Sequence, residues 1–200
     1  MTNPGSIRRI CVFCGSSTGG DPRYREAAEE LARAIVASGR GIVYGGGSVG
    51  LMGVLADAAL QAGGEVIGVI PEALAREELL HGGLSETHVV RTMHARKALM
   101  AERSDAFVAM PGGFGTFEEL LEIITWRQLH FHSKPVGILN VAGYYDGLVS
   151  LVAHAIGEGF IRSGHEALLL VEESPRALVA RLEAPLAAVA PKWPELEAPS

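Results

Sequence analysis

Three short apolar segments of this chain each run straight into a glycine-rich turn. Residues 7–14 lead into Gly15-Ser16-Ser17-Thr18-Gly19-Gly20, residues 41–44 into Gly45-Gly46-Gly47-Ser48-Val49-Gly50, and residues 105–110 into Pro111-Gly112-Gly113-Phe114-Gly115. A helix-forming stretch follows each turn. Continuously apolar strands alternating with helices specify βαβ units around a parallel sheet that is buried on both faces. The same reading predicts strands at 65–70, 88–91, 135–139 and 167–171. It predicts helices at 24–38, 49–62, 93–103, 116–130, 144–158 and 175–182. The expected class is therefore α/β, a doubly wound parallel sheet flanked by helices. A single domain is expected over 1–183. A proline-rich, loosely ordered C-terminal tail, with Pro185, Pro191, Pro194 and Pro199, is expected over 184–200.

Composition narrows the class. Glycine makes up 25 of 200 residues, well above the usual share of about 7%, and it has no collagen period. A 48% hydrophobic content excludes a disordered chain. The net charge of −6 disfavours a broad nucleic-acid footprint. No apolar run approaches the roughly 18–20 residues of a membrane span. Residues 1–9 do not read as a signal peptide. Two cysteines, Cys11 and Cys14, are too few for a disulfide framework. Together these predict a cytoplasmic protein with neither a nucleic-acid nor a membrane partner.

In a doubly wound sheet all three glycine turns emerge at the carboxyl edge of the strands, where ligands bind. The helices that follow offer free N–H groups and a positive dipole end to an anion. A phosphate-bearing ligand is the expectation. Residues 45–50 match G-x-G-x-x-G, with Glu72 beyond the next strand, which by itself suggests a dinucleotide site. The match follows the second strand, however, and triple glycines meet the pattern easily. Neither a Walker-type P-loop nor a G-x-S-x-G elbow occurs.

The middle of the chain is more specific. On a helix over 93–103, Met93, Arg96, Lys97 and Met100 share one face, so two cations sit within a methionine stripe. Buried cations need partners, and an anionic substrate is one; snorkelling side chains on a surface helix are the plainer alternative. Downstream, Thr116 reads as an N-cap and Glu119 as its capping-box partner. The helix is expected to bury Phe117, Leu120, Leu121 and Ile124. Glu119 is expected on the other side with Glu122 and Trp126, free of the core and close to the glycine turn. A carboxylate there can activate water or stabilise a cationic sugar transition state.

These segments give M-x-x-R-K-x-x-M at 93–100 and P-G-G-x-G-T-x-x-E at 111–119. With Cys14-Gly15-Ser16-Ser17, Tyr44-Gly45-Gly46-Gly47, Gly50-Leu51-Met52-Gly53 and Gly143-Tyr144-Tyr145-Asp146, the chain resembles the LONELY GUY (LOG) family over residues 7–183. Those proteins are cytokinin riboside 5'-monophosphate phosphoribohydrolases, some of them long labelled lysine decarboxylase-like. The resemblance implies a Rossmann-like fold and a homodimer with sites near the subunit interface. It implies hydrolysis of N6-modified AMP to free base and ribose 5-phosphate, with neither metal nor redox cofactor. Carried over by motif, Arg96 and Glu119 are the catalytic pair. Ser16, Gly46, Gly47, Lys97, Gly112, Gly113, Gly115 and Thr116 line the nucleotide site, and Glu78 and Thr125 match substrate-contacting positions. Residues 112–116 would cradle the phosphate, Glu119 would face the ribose, and Arg96 would supply positive charge toward the departing base or the phosphate. A non-catalytic nucleotide or cofactor carrier on the same fold is the alternative.

The remaining chemistry-bearing residues read more plainly. The C-x-x-C at 11–14 lies in a strand, where its thiols point to opposite faces, unlike a redox pair. His130 and His132 lack neighbouring carboxylates and read as packing or surface residues, while His94 borders the proposed site. The three lysines, Lys97, Lys134 and Lys192, offer no evident Schiff-base partner for a pyridoxal enzyme.

Overall fold

The computed structural model describes residues 7–75, 79–186 and 189. Seven strands form one sheet: β1 (Arg9–Phe13), β2 (Gly41–Tyr44), β3 (Val66–Pro71), β4 (Glu86–Val90), β5 (Ala106–Ala109), β6 (Val136–Leu139) and β7 (Leu170–Glu172). Their order is β4-β3-β2-β1-β5-β6-β7, and every pairing is parallel. The chain works outward from β1 to β4, then returns to β1's other side with β5. The turns after β1 and β5 therefore meet at the topological switch point, where open α/β sheets hold their ligands.

Among the described residues seven α-helices flank the sheet: α1 (Pro22–Ala37), α2 (Gly50–Gln61), α3 (Glu72–Ala75), α4 (Met93–Glu102), α5 (Phe114–Gln128) and α6 (Asp146–Gly157) between strands, and α7 (Pro175–Glu183) after the last. Side-chain caps set three starts. Asp21 accepts from the Arg23 amide, Thr92 from Ala95 and Ser174 from Ala177. Pro22 and Pro175 supply the first-turn φ that α1 and α7 need.

Alternation along the strands builds two cores. Ile10, Val12 and Cys14 pack with Leu31, Leu55 and Leu178 beneath α1, α2 and α7. Cys11 and Phe13 point the other way, into a cluster with Val69, Phe107, Met100 and Leu120 beneath α4 and α5. The cysteine pair is thus split by the sheet, as the strand reading requires. Both thiols are free and buried, and burial pushes both well above the usual thiol range.

Several boundaries differ from expectation, two of them with a clear local cause. The helix expected from residue 144 starts at Asp146, because Val141–Gly143 forms a 3-10 turn with Ala142 and Gly143 in the left-handed region. That turn aims Tyr144 and Tyr145 back at the sheet edge. The last strand starts at Leu170 instead of residue 167, since His165–Leu168 coil into another 3-10 turn. Among the described residues no helix is long and apolar enough to cross a membrane. The expected tail lies largely outside the described residues.

Candidate active site

The three glycine turns do converge on one edge. The Gly15 amide donates to the Pro111 carbonyl at 3.1 Å, and the Leu51 amide donates to the Gly15 carbonyl at 3.0 Å. Between the first and third turns lies a cavity of about 290 Å³, lined by Ser16, Thr18, Tyr24, Gly112, Gly113 and Tyr144 among others. Gly112 is needed there. A Cβ at this position would overlap the Thr116 hydroxyl and come within 2.9 Å of the Gly15 nitrogen.

α5 opens onto this cavity two residues earlier than the sequence suggests. Its N-cap is Gly113, not Thr116, and no side chain caps it. Thr116 is instead buried within the first turn. The expected capping box does not form, because extended backbone at Gly113 starts the helix without side-chain help. The first-turn amides of residues 114–116 precede the first in-helix bond, from Phe117 N–H to the Gly113 carbonyl, so they face outward at the positive end of a 15-residue helix.

Glu119 corrects the expectation most. It does not lie free of the core; it is only 8% exposed and shares the inward face with Thr116, Leu120, Ile123 and Arg127. Leu121, expected in the core, is exposed. The reason is a partner. Arg96 on α4 reaches Glu119 with Nη1 at 2.5 Å from Oε1, an ion pair in which both side chains are nearly enclosed. Arg96 is held from two further sides: its Nε donates to the Val69 carbonyl at 3.1 Å, and Met93 Sδ lies 3.5 Å from Nη1. Gly45 gives it room, since a Cβ there would overlap the guanidinium Nη2. Burial holds the Glu119 carboxyl above the usual range, against the pull of Arg96 in the other direction. Both charges are felt at Cys14, the last residue before the first turn.

The remaining candidates divide. Ser16, Gly112, Gly113, Gly115 and Thr116 gather around the α5 start. Gly46 and Gly47 are buried beneath residues 79–81, with His81 N–H donating to the Gly46 carbonyl and Leu80 bridged to Gly47. The first half of the G-x-G-x-x-G turn is thus closed over while Ser48 and Val49 stay exposed, and Glu72 stands exposed on α3. Lys97 is buried as well, directed at Glu118 and at Glu122, the latter 3.0 Å away. Thr125 lies nearly two turns along α5 from Glu119, where its hydroxyl donates to the Leu121 carbonyl and it borders an apolar cavity against α6. Glu78 lies outside the described residues. His132 is a packing residue, tilted against Phe107 and bonded to the Ile123 carbonyl at 3.0 Å. His94 is exposed. Among the described residues no group of His, Cys, Asp and Glu could hold a metal ion.

Sequence reasoning missed the part played by Tyr144 and Tyr145. The Tyr144 hydroxyl donates to the Gly112 carbonyl, and the Tyr145 hydroxyl to the Met110 carbonyl at 2.7 Å. Asn140 fixes the Tyr145 amide at 2.7 Å and bonds Asp146. Two adjacent tyrosines behind a glycine were the available signal. They pin the third glycine turn from behind.

Residues 52–182 match the family model described as "Possible lysine decarboxylase". A probable cytokinin riboside 5'-monophosphate phosphoribohydrolase of Oryza sativa subsp. japonica is 52% identical over 88% of this chain and 78% of its own length. A cytokinin riboside 5'-monophosphate phosphoribohydrolase of Arabidopsis thaliana is 50% identical over 92% of this chain and 86% of its own. Among solved structures, the molybdenum cofactor carrier protein of Chlamydomonas reinhardtii superposes with a TM-score of 0.65 at 23% identity, covering 88% of this chain and 97% of that one. The molybdenum cofactor binding protein of Rippkaea orientalis gives 0.68 at 21% identity, covering 90% and 97%. At that identity the two structures share the fold alone. The family match, and half-identity to the plant proteins over most of the chain, place this chain in the LOG family.

Proposed function

We propose that this chain hydrolyses the N-glycosidic bond of a purine nucleoside 5'-monophosphate, N6-modified AMP above all, to free base and ribose 5-phosphate. The observation that carries the reading is the enclosed Arg96–Glu119 pair beside the open start of α5. In this mechanism the 5'-phosphate sits against the amides of residues 114–116. The C1'–N9 bond breaks and its electron pair leaves with the base, which takes up a proton. Glu119, as carboxylate, stabilises the oxocarbenium charge at C1' and accepts a proton from the water that adds there. Arg96 keeps Glu119 oriented and presents positive charge to the substrate. The names of the plant relatives support the substrate class.

The same proposal includes a homodimer. α5 and α6 enclose an apolar cavity of about 510 Å³ lined by Leu121, Ile124, Val149, Val152, Ile156 and Phe160 among others. Several of these are unusually exposed for their type. A second copy docked there would cover them and bring Thr125 to the interface. A reducing, cytoplasmic setting suits the two free cysteines.

Incubating the protein with AMP and with isopentenyl-AMP, then resolving free base by chromatography, tests the activity. Base release from at least one of them is expected. No base from any purine monophosphate would overturn it, and tight nucleotide binding without cleavage would favour the carrier alternative.

A further inference from the structure

Arg96 and Glu119 each have a chain neighbour in a second pair of the same kind. Lys97 follows Arg96 on α4, and Glu118 precedes Glu119 on α5. The Lys97 ammonium is directed at Glu118 and lies 3.0 Å from Glu122, one turn further along α5. Its side chain is only 8% exposed. Burial works to lower its pKa, but the hydrogen bonds it donates to the two carboxylates outweigh that and raise it, so it stays charged.

The helix backbones explain why this matters. α4 rests on β3 and β4, and α5 rests on β1 and β5, while the two helices barely approach one another. Beneath them Met100 shares an apolar cluster with Leu120 and Ile123, and towards the sheet edge they are linked by long charged side chains. Lys97 with Glu118 and Glu122 carries a net charge of −1, which repels a phosphate instead of attracting one. We infer that Lys97 is a positioning residue: bound to Glu118 and Glu122, it fixes the spacing and rotation of α4 against α5 and so holds Arg96 on Glu119. This departs from the nucleotide-lining place that the family motif gives it. Its kinetic readout rests on the proposed hydrolysis.

The test uses Lys97→Met, Lys97→Arg and the double variant Glu118→Gln/Glu122→Gln, each confirmed folded by circular dichroism, with kcat and KM measured on AMP. Misplacing Arg96 by about 1 Å should lower kcat in Lys97→Met about 10- to 100-fold, with KM within about threefold. The double glutamine variant should reproduce that loss, and adding Lys97→Met to it should cost little more, as coupled sites do. Lys97→Arg should recover most of the rate. A KM raised tenfold or more in Lys97→Met with kcat intact would make Lys97 a phosphate ligand and overturn the inference. Unchanged kcat in both the methionine and double glutamine variants would overturn it too. If the wild-type protein releases no base, the hydrolase reading fails separately. The crystal structure of Lys97→Met then decides on Lys97: an Arg96 guanidinium displaced from Glu119 by about 1 Å or more supports the bracing role, and an unmoved pair refutes it.

Discussion

Replacing Gly45 by alanine adds one methyl group at the point where Arg96 crosses the sheet edge. Gly45 does not hold a positive φ, so alanine takes its backbone without strain. The obstacle is the guanidinium. A Cβ there overlaps Nη2, lies 3.2 Å from Cζ and lies 3.3 Å from Met52 Sδ, all inside ordinary contact. Arg96 has no free direction of retreat, because Val69 holds Nε at 3.1 Å and Glu119 holds Nη1 at 2.5 Å. Clearing the overlap needs a shift on the order of 1 Å, enough to cost about 100-fold in rate. That equals about 2.7 kcal/mol of transition-state stabilisation. Overpacking of this kind costs about 1–3 kcal/mol of stability, a fall of several degrees in thermal midpoint. Base release from AMP by chromatography gives kcat, and a thermal melt gives stability. Gly20→Ala, where a Cβ meets open space, should leave both unchanged. A folded Gly45→Ala protein with kcat within about threefold of wild type would refute the Arg96 geometry.

Three further outcomes follow from the same contacts. Glu119→Gln should lower turnover about 10²- to 10⁴-fold, the usual worth of a positioned acid–base group. The wild-type acid limb in kcat/KM should lie above the ordinary glutamate value of about 4.3, activity rising with pH through it. Stability runs the opposite way, since a raised carboxyl contributes fully below its unfolded value and loses that contribution as pH rises through its folded one. The thermal midpoint of Glu119→Gln should therefore gain on wild type as pH rises above the ordinary glutamate value of about 4.3. Tyr145→Phe strands the buried Met110 carbonyl and should cost about 1–3 kcal/mol in denaturant unfolding, with a smaller effect on KM. Cys11 and Cys14 should resist Ellman's reagent until the protein unfolds, because both thiols are buried with raised pKa; rapid native labelling would contradict their placement.

The inner strands were legible because they are buried on both faces and therefore read as unbroken apolar runs, whereas the edge strand β4 alternates half-buried with exposed residues. The opposed cysteines followed from the strand period alone. The face of α5 did not. Apolar residues at 117, 120, 121 and 124 span an arc of about 100°, an ordinary core stripe, but the buried face of α5 is rotated away from it. Leu120 and Ile123 turn inward on the sheet, and Leu121 and Ile124 turn toward α6. A charged residue on such a helix defaults to the solvent side unless its partner is known. Glu119's partner lies 23 residues earlier, on a different helix, and no local pattern reports it. The same holds for Lys97: its motif marks it as functional, but only the position of α5 shows that Glu118 and Glu122 take its charge. The middle glycine turn carries a phosphate-like pattern that its place after the second strand already discounts; in the structure Gly46 and Gly47 lie beneath residues 79–81 and Gly45 is left bare for Arg96.

Arg96 shows why the pair is split between two βα units. It starts on α4 over the outer strands, bonds the Val69 carbonyl on β3, passes Gly45 just beyond β2, and ends on Glu119 beside β1 and β5. One side chain thus reaches from the sheet's outer half to its switch point. Such a pair is a poor stabiliser. Enclosing both charges costs solvation that the ion pair only partly returns, and apolar residues of similar size would hold the helices at least as well. The raised Glu119 carboxyl is that cost made visible. Two helices with little backbone contact, joined by charges at the one edge where a sheet of this kind receives ligands, are arranged for chemistry at the expense of stability.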